Sequence, residues 1–298
     1  MGILVTPNII PDILVGINQI QQQMNQADAE LASGRSINEP SDNPSATAAL
    51  ILNHAEQANA DTFQTSIGSL QDTMNVADSA LNSAVNVINQ AISLGVEAGN
   101  SILSNQDRQA IANQLLGIQQ QLIGIANTSV GGDFLFGGTQ VSAQPFTFDP
   151  TSANGVDYNG NNSVSSVEIA NGQSVTVNVP GSQLFLNGAG NLFGSLQQLI
   201  TAIQTNNGIG TASTALGQAS TEFDTQRLAY GTVLNELQGT STFLSNESLQ
   251  LSTQESNIDQ ANIPQVVTQF SQAQIAYSAL LQAESNVLNL PNILDFAH

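Results

Sequence analysis

The sequence predicts a mainly α-helical fold. The expected arrangement is a discontinuous coiled-coil helical rod formed by the N- and C-terminal segments, with a small β-rich head inserted in the middle. Three observations predict it. Apolar stripes whose spacings alternate between three and four residues run through both halves of the chain, and that period belongs to packed, supercoiled helices. The period disappears between Gly131 and about Gly190, where turn residues and short alternating runs take over. Only 9% of the 298 residues are charged, so the polar faces are made of Gln, Asn, Ser and Thr, which tolerate close packing against copies of the same chain.

Residues 1–43 read as an N-terminal assembly helix and a corner. Ile10, Ile13, Ile17, Ile20, Met24, Ala27 and Leu31 form an unbroken seam. An isolated helix of this length is marginal in water, so the seam must pair with the other end of the chain or with other subunits, or else fray. Ile10, Ile13, Ile17, Ile20, Met24 and Leu31 are therefore candidate assembly residues. The corner follows in "ELASGRSINEPSDNPSATAAL". There Gly34 can supply a positive φ, and Asn43-Pro44 offers an N-cap residue before a proline at the first helical position. Arg35 stands in this break as one of only three cations in the chain. It is expected to bridge to a carboxylate or carbonyl of a neighbouring helix or subunit, the alternative being a solvated arginine in a turn.

Residues 44–130 continue the rod. The stripes Phe63, Ile67, Leu70, Met74, Ala77, Leu81, Ala84, Ile88, Ala91 and Ile111, Leu115, Ile118, Leu122, Ile125 read as core, and Ser104 before "NQDRQAI" as a second N-cap. Residues 131–190 hold "GGDFLFGGTQ", "QPFTFDP", "VDYNGNN" and "SVTVNVP". Val175, Val177 and Val179 fall on one face of an expected strand between the turns Asn171-Gly172 and Pro180-Gly181. Residues 191–260 return to the rod with Phe223, Tyr230, Leu234, Leu237, Leu244, Leu251 and Ile258 on one stripe. Residues 261–298 read as the C-terminal assembly helix. Its stripe of Ile263, Phe270, Ala273, Tyr277, Leu280 and Val287 carries Glu284 on the seam, and Phe270, Tyr277, Leu280 and Val287 complete the candidate interface.

Composition excludes much chemistry. Lys+Arg 3 against Asp+Glu 23 gives a formal charge of −20, which repels phosphate backbones and leaves no cationic face for anionic lipid. Neither nucleic acid nor a membrane is an expected partner. Without cysteine or lysine there is no thiol nucleophile, no disulfide, no Schiff base and no Walker lysine. The two histidines, His54 and His298, stand far apart in sequence, and no cofactor or metal motif is present. "GGDFLFGG" lacks the spacing of a phosphate loop. Asp42, Asp133, Asp149 and Asp157 lie in expected turns, where aspartate bonds its own backbone. An enzyme is therefore not expected; a glycan-hydrolysing head would need the aspartates of 133–157 to converge. The apolar start "MGILVTPNIIPDILVGI" has no basic residue before Arg35 and is interrupted by Pro7, Pro11 and Asp12, unlike a cleaved secretory signal. No stretch reaches transmembrane length.

The motifs resemble a known family. "ELASGRSINEPSDNPSATAALIL" (Glu30–Leu52) is similar to the N-terminal signature of the bacterial flagellin family of axial proteins. Its Pro-Ser-Asp-x-Pro element resembles the hook–filament junction branch more than filament flagellin. "IANTSVGGDFLFGGTQVSAQPF", "DYNGN", "VEIANGQSVTVNVPGSQLF" and "VVTQFSQAQIAYSALLQAESNVLNL" resemble later blocks of that branch, in the same order and over nearly the whole chain. The sequence departs from the branch in Pro291 and in having no lysine.

The resemblance implies an extracellular structural subunit, exported through the flagellar type III channel without a cleaved signal and assembled through its terminal helices. The implied partners are flagellin, another hook-associated protein at the hook end, copies of the chain in a ring, and an export chaperone on the C-terminal helix from about Ile263 to Leu290. Filament flagellin is the alternative within the family. A secreted coiled-coil translocator or adhesin is the alternative outside it.

Overall fold

The computed structural model describes residues 9–188 and 190–288. Pro7, Pro291 and His298 lie outside the described residues, as do the side chains of Ile10 and Val287. The helices are α1 (Ile9–Ser33), α2 (Pro44–Ala98), α3 (Asn105–Ala126), α4 (Gly181–Phe185), α5 (Leu192–Thr205), α6 (Ile209–Asp259) and α7 (Ile263–Leu288). Between α3 and α5 run the strands β1 (Ser129–Val130), β2 (Asp133–Phe134), β3 (Phe146–Phe148), β4 (Val156–Tyr158), β5 (Ser166–Ala170), β6 (Gln173–Thr176), β7 (Leu186–Asn187) and β8 (Gly190–Asn191). They pair consecutively into four separate two-stranded antiparallel sheets. The fold is mainly α with a small β region, as the periodicity predicts. No helix among the described residues is long and apolar enough to cross a membrane.

The chain divides into two compact units: Ala60–Asn246, and Met1–Asn59 together with Glu247–His298. The 60–246 unit carries a continuous apolar core. Ile67, Leu81, Leu115 and Leu122 are fully buried at the predicted seam positions, with Met74 and Ile88 almost so. Phe223, Tyr230, Leu237 and Leu244 of α6 join the same cluster, as do Leu196, Leu199 and Ile203 of α5. The β region adds an aromatic centre. Phe185 of α4 packs against Phe136, Phe146, Phe193 and Phe223 with ring centroids 5.3–5.7 Å apart, in the edge-on and tilted geometries that ring quadrupoles favour. At Gly181 a Cβ would strike the Phe146 ring and the Phe136 carbonyl, so that position must stay bare.

Strands this short cannot hold themselves, and asparagines supply the missing bonds. Asn127 donates from Nδ2 to the Phe146 carbonyl and accepts the Phe146 N–H, copying a ladder pair with its side chain. Asn161 accepts from Thr139 N and Ser163 N, while Tyr158 donates its hydroxyl hydrogen to the Asn161 and Phe136 carbonyls. The expected strand through Val175, Val177 and Val179 is corrected. β6 stops at Thr176, and Val177 and Val179 are half-buried against the core outside any strand. The cause is Asn178. Its Oδ1 takes the Ser165 N–H and its Nδ2 reaches the Gly138 and Ser163 carbonyls, while Val179 N–H turns away to the Tyr230 hydroxyl.

The α2–α3 connection is also built. Ser104 and Asp107 form a capping box, and Asn100 Oδ1 accepts the Ile102 N–H. Arg108 donates from Nη1 to the Ala98 and Asn100 carbonyls, neutralising the carbonyl end of α2. A second break ends α5, where Asn206 adopts φ 52 and Gly208 φ 73 before α6 begins.

Candidate assembly surfaces

In the unit formed by the two chain ends, α1 pairs with α7. Ile17, Ala27, Val266 and Ala273 are buried between them, and Leu31 and Phe270 pack on the cluster of Ala27, Ala261 and Val266. Gly16 makes room for Leu280, whose Cδ1 would lie 3.3 Å from an added Cβ. Gln21 Nε2 donates to the Tyr277 hydroxyl at 3.1 Å.

The rest of the seam is not covered by this pairing. Ile13, Ile20, Met24, Leu31, Phe270, Tyr277 and Leu280 are only half-buried. Val15 and Ile275 are exposed, with Leu14, Val267 and Leu281 near them in sequence also open. A recess of about 540 Å³ runs between Ile20, Gln23 and Gln26 on α1 and Gln269, Gln272 and Ala276 on α7. Of the candidate assembly residues, the structure brings together Leu31 with Phe270, and places Ile17 in the core of the pair. Ile10 and Val287 lie within α1 and α7.

The corner explains where the scarce arginine goes. α1 ends at Ser33, and Gly34 turns the chain with φ 72, donating its N–H to the Glu30 carbonyl. Arg35 then forms a single antiparallel bridge with Gln260. Ser36 N–H donates to the Asp259 carbonyl and Ala261 N–H to the Gly34 carbonyl. Arg35 Nε is ion-paired with Asp259 Oδ2, while the other carboxylate oxygen accepts the Ile37 N–H at 3.1 Å. Asp259 is 6% exposed and Arg35 49%, so the carboxylate is the desolvated partner. Glu255 extends the cluster, 3.9 Å from Arg35 Nη2 and 2.9 Å from His54 Nε2.

The turn that follows is held by Asp42, whose Oδ2 accepts the Asn38 and Glu39 N–H groups. Asn43 Oδ1 then caps α2 by accepting from Ala46 N. Sequence reasoning did not find Asp259, Glu255 or His54 as partners of the corner. The only trace of Asp259 is an acid beside seam residue Ile258, and nothing in the sequence links it to a position 224 residues away.

The aspartates considered for hydrolysis behave as turn residues. Asp149 accepts from Thr151 N at 2.8 Å and from its hydroxyl at 2.6 Å, and these bonds hold its carboxyl below the ordinary value. Among the described residues, no three His, Cys, Asp or Glu side chains gather as a metal site would require.

Residues 12–141 match the bacterial flagellin N-terminal helical region, the segment that holds α1, the corner, α2 and α3. Over that segment the chain is similar to the bacterial flagellin family. Over most of its length the chain is similar to hook-associated proteins of that family. The flagellar hook-associated protein 3 of Salmonella typhimurium is 27% identical over 296 residues, covering 89% of this chain and 90% of that protein. Its Escherichia coli K12 namesake is 25% identical, covering 92% and 93%. A solved flagellar hook-associated protein of Vibrio parahaemolyticus superposes with a TM-score of 0.59 at 19% identity, over 74% of this chain and 97% of that one. The flagellin-family fold and the preference for the hook-associated branch over filament flagellin both stand.

Proposed function

We propose that this chain is a structural subunit of the bacterial flagellum that joins the hook, through another hook-associated protein, to the flagellin filament. One observation carries the reading. The single chain folds its α1–α7 seam only halfway, leaving Ile13, Ile20, Met24, Tyr277 and Leu280 half open along two helices of low charge. Apolar stripes of this period are completed by further helices, and copies of the chain arranged in a ring supply them.

The subunit leaves the cell unfolded through the flagellar type III channel. Before export a chaperone covers the C-terminal helix from about Ile263 to Leu290. Deleting those residues is expected to abolish chaperone binding in a pull-down, and retained binding would place the surface elsewhere. The role is structural and not enzymatic, uses no cofactor, and engages neither nucleic acid nor a membrane.

The deciding test is immunogold labelling of intact flagella with an antibody to residues 131–190. A single label at the hook–filament boundary is expected. Label along the whole filament would make the chain a filament flagellin, and absence from flagella would move it to another secretion system.

A further inference from the structure

Ile102 is 90% exposed, the most open large apolar side chain among the described residues. It does not sit on a loose tip. The connection that carries it is fixed by the Ser104–Asp107 capping box, by Asn100 Oδ1 on the Ile102 N–H, and by Arg108 on the Ala98 and Asn100 carbonyls. Leu103, the next residue, is anchored against the core. One of the chain's three cations is thus spent on holding an isoleucine out in water, where it adds nothing to the stability of its own fold. A preorganised apolar side chain loses little freedom on binding, which is the property of an interface anchor.

The same unit carries a matching socket. A recess of about 110 Å³ is lined mainly by Met74, Val177, Val179, Ala229, Tyr230 and Val233. Thr176 and Asn178 complete the lining. The Tyr230 hydroxyl accepts the Val179 N–H, and the Asn178 amide is engaged by Ser165, Gly138 and Ser163. With about 30 Å³ per water in the liquid, this space holds three or four atoms of that size, comparable to the four side-chain carbons of isoleucine. No charged side chain lines the recess, and none occurs in the loop from Gly99 to Ser104. Two copies of a chain with formal charge −20 can therefore meet at this contact without apposing carboxylates.

We propose that Ile102 of one copy seats in the Met74–Val177–Val233 recess of the next. The inference rests on the reading that copies of the chain stand side by side. Knob and recess occupy different places on the unit, so the contact is heterologous and each copy gives one anchor and receives one. From Met74 to Ala98 the α2 axis advances roughly 36 Å, so neighbours with parallel α2 helices follow a helical path with about that stagger, and this contact links copies along the path and not across a level ring. One isoleucine in one recess is far below the roughly 1,200–2,000 Å² of a stable interface, so the contact acts only among copies already held together by their ends.

The absence of cysteine makes the test direct. The full chain carrying Ile102→Cys and Ala229→Cys together replaces the native chain in cells, and isolated flagella are treated with a mild oxidant. A thiol-reversible ladder of dimers, trimers and higher species of this chain is expected from the double variant, with each single variant remaining monomeric. Absence of the ladder while the antibody to residues 131–190 still marks the hook–filament boundary would overturn the contact. A dimer from Ile102→Cys alone would also overturn it, because that contact is symmetric. A ladder together with label along the whole filament would leave the contact standing and defeat the junction role. As a second readout, Ile102→Asp is expected to raise filament shedding under shear at least tenfold while Ile102→Val does not, the thermal melts of both free chains being unchanged. Equal shedding by Ile102→Asp and the native chain would refute the proposal.

Discussion

The two units of the molecule spend the same kind of seam in opposite ways. In Ala60–Asn246 the stripe closes within one chain: Ile67, Leu81, Leu115 and Phe223 are fully buried, and five phenylalanines pack into the centre. In the unit made by the chain ends the buried cluster is Ala27, Ala261 and Val266, with Leu31 and Phe270 leaning on it. The period alone does not separate a finished core from an unfinished one. What separates them is the number of elements that converge. α2, α3, α5, α6 and the β region all meet the first seam, whereas α1 has α7 as its helical partner.

Four measurements test this contrast, beginning with the largest expected effect. Phe185→Ala removes a ring that touches four others, and it should cost about 3–5 kcal/mol in the denaturant-unfolding free energy of the 60–246 unit. A loss below 1 kcal/mol would mean that the aromatic centre is loosely packed.

High pH should then act selectively on the same unit. Burial pushes the Tyr230 hydroxyl from 10.0 up to about 12, so the folded state holds the proton more tightly than the unfolded chain does. Its contribution is complete below pH 10 and is lost as the pH rises from 10 through 12, amounting to roughly 2–3 kcal/mol. Tyr230→Phe should flatten that part of the stability profile. An unchanged slope would assign the alkaline loss to other groups.

At the corner, Arg35→Ala strands a largely buried Asp259 and should destabilise the local structure by about 1–3 kcal/mol. Faster hydrogen exchange at Ser36, Ile37 and Ala261 would register it, with Leu115 and Leu122 unaffected. In filaments the same variant tests whether the corner contributes to junction stability, since unchanged mechanics would confine its role to the free chain.

The smallest effect belongs to the seam itself. Ile20→Ala in the free chain should cost about 1 kcal/mol or less, because the side chain is only half-buried there. Its cost should appear in assembly, as a lower yield of attached filaments. A large loss of stability in the free chain would show that the ends are finished before assembly.

Much of this organisation is legible in the residues. The three-and-four spacing from Phe63 to Ala91 and from Ile111 to Ile125 marks the buried face of α2 and α3, because a helical seam imposes its period directly on the sequence. Asn43-Pro44 and Ser104 mark helix starts, because capping chemistry is local. The β region is poorly legible for the opposite reason. Its strands are two to five residues long, and side chains such as Asn127 and Asn178 do the work of backbone ladders across gaps of 13–40 residues. Val177 and Val179 keep a strand's alternation and still leave the strand. The corner is legible as a break but not as a bond, since its partner Asp259 is set by how the chain ends meet.

The employment of all three arginines has a consequence for resistance to proteases. Arg35 is ion-paired with Asp259, Arg108 is turned onto the end of α2, and Arg227 is ion-paired with Asp78 at 3.0 Å. With no lysine in the sequence, these are the only peptide bonds that a trypsin-like protease recognises. Two of them lie inside the helices α3 and α6, where the backbone cannot enter a protease cleft without unwinding. Digestion should therefore begin after Arg35, in the corner, and leave a single large fragment that persists: armour against proteolysis written into composition as much as into fold.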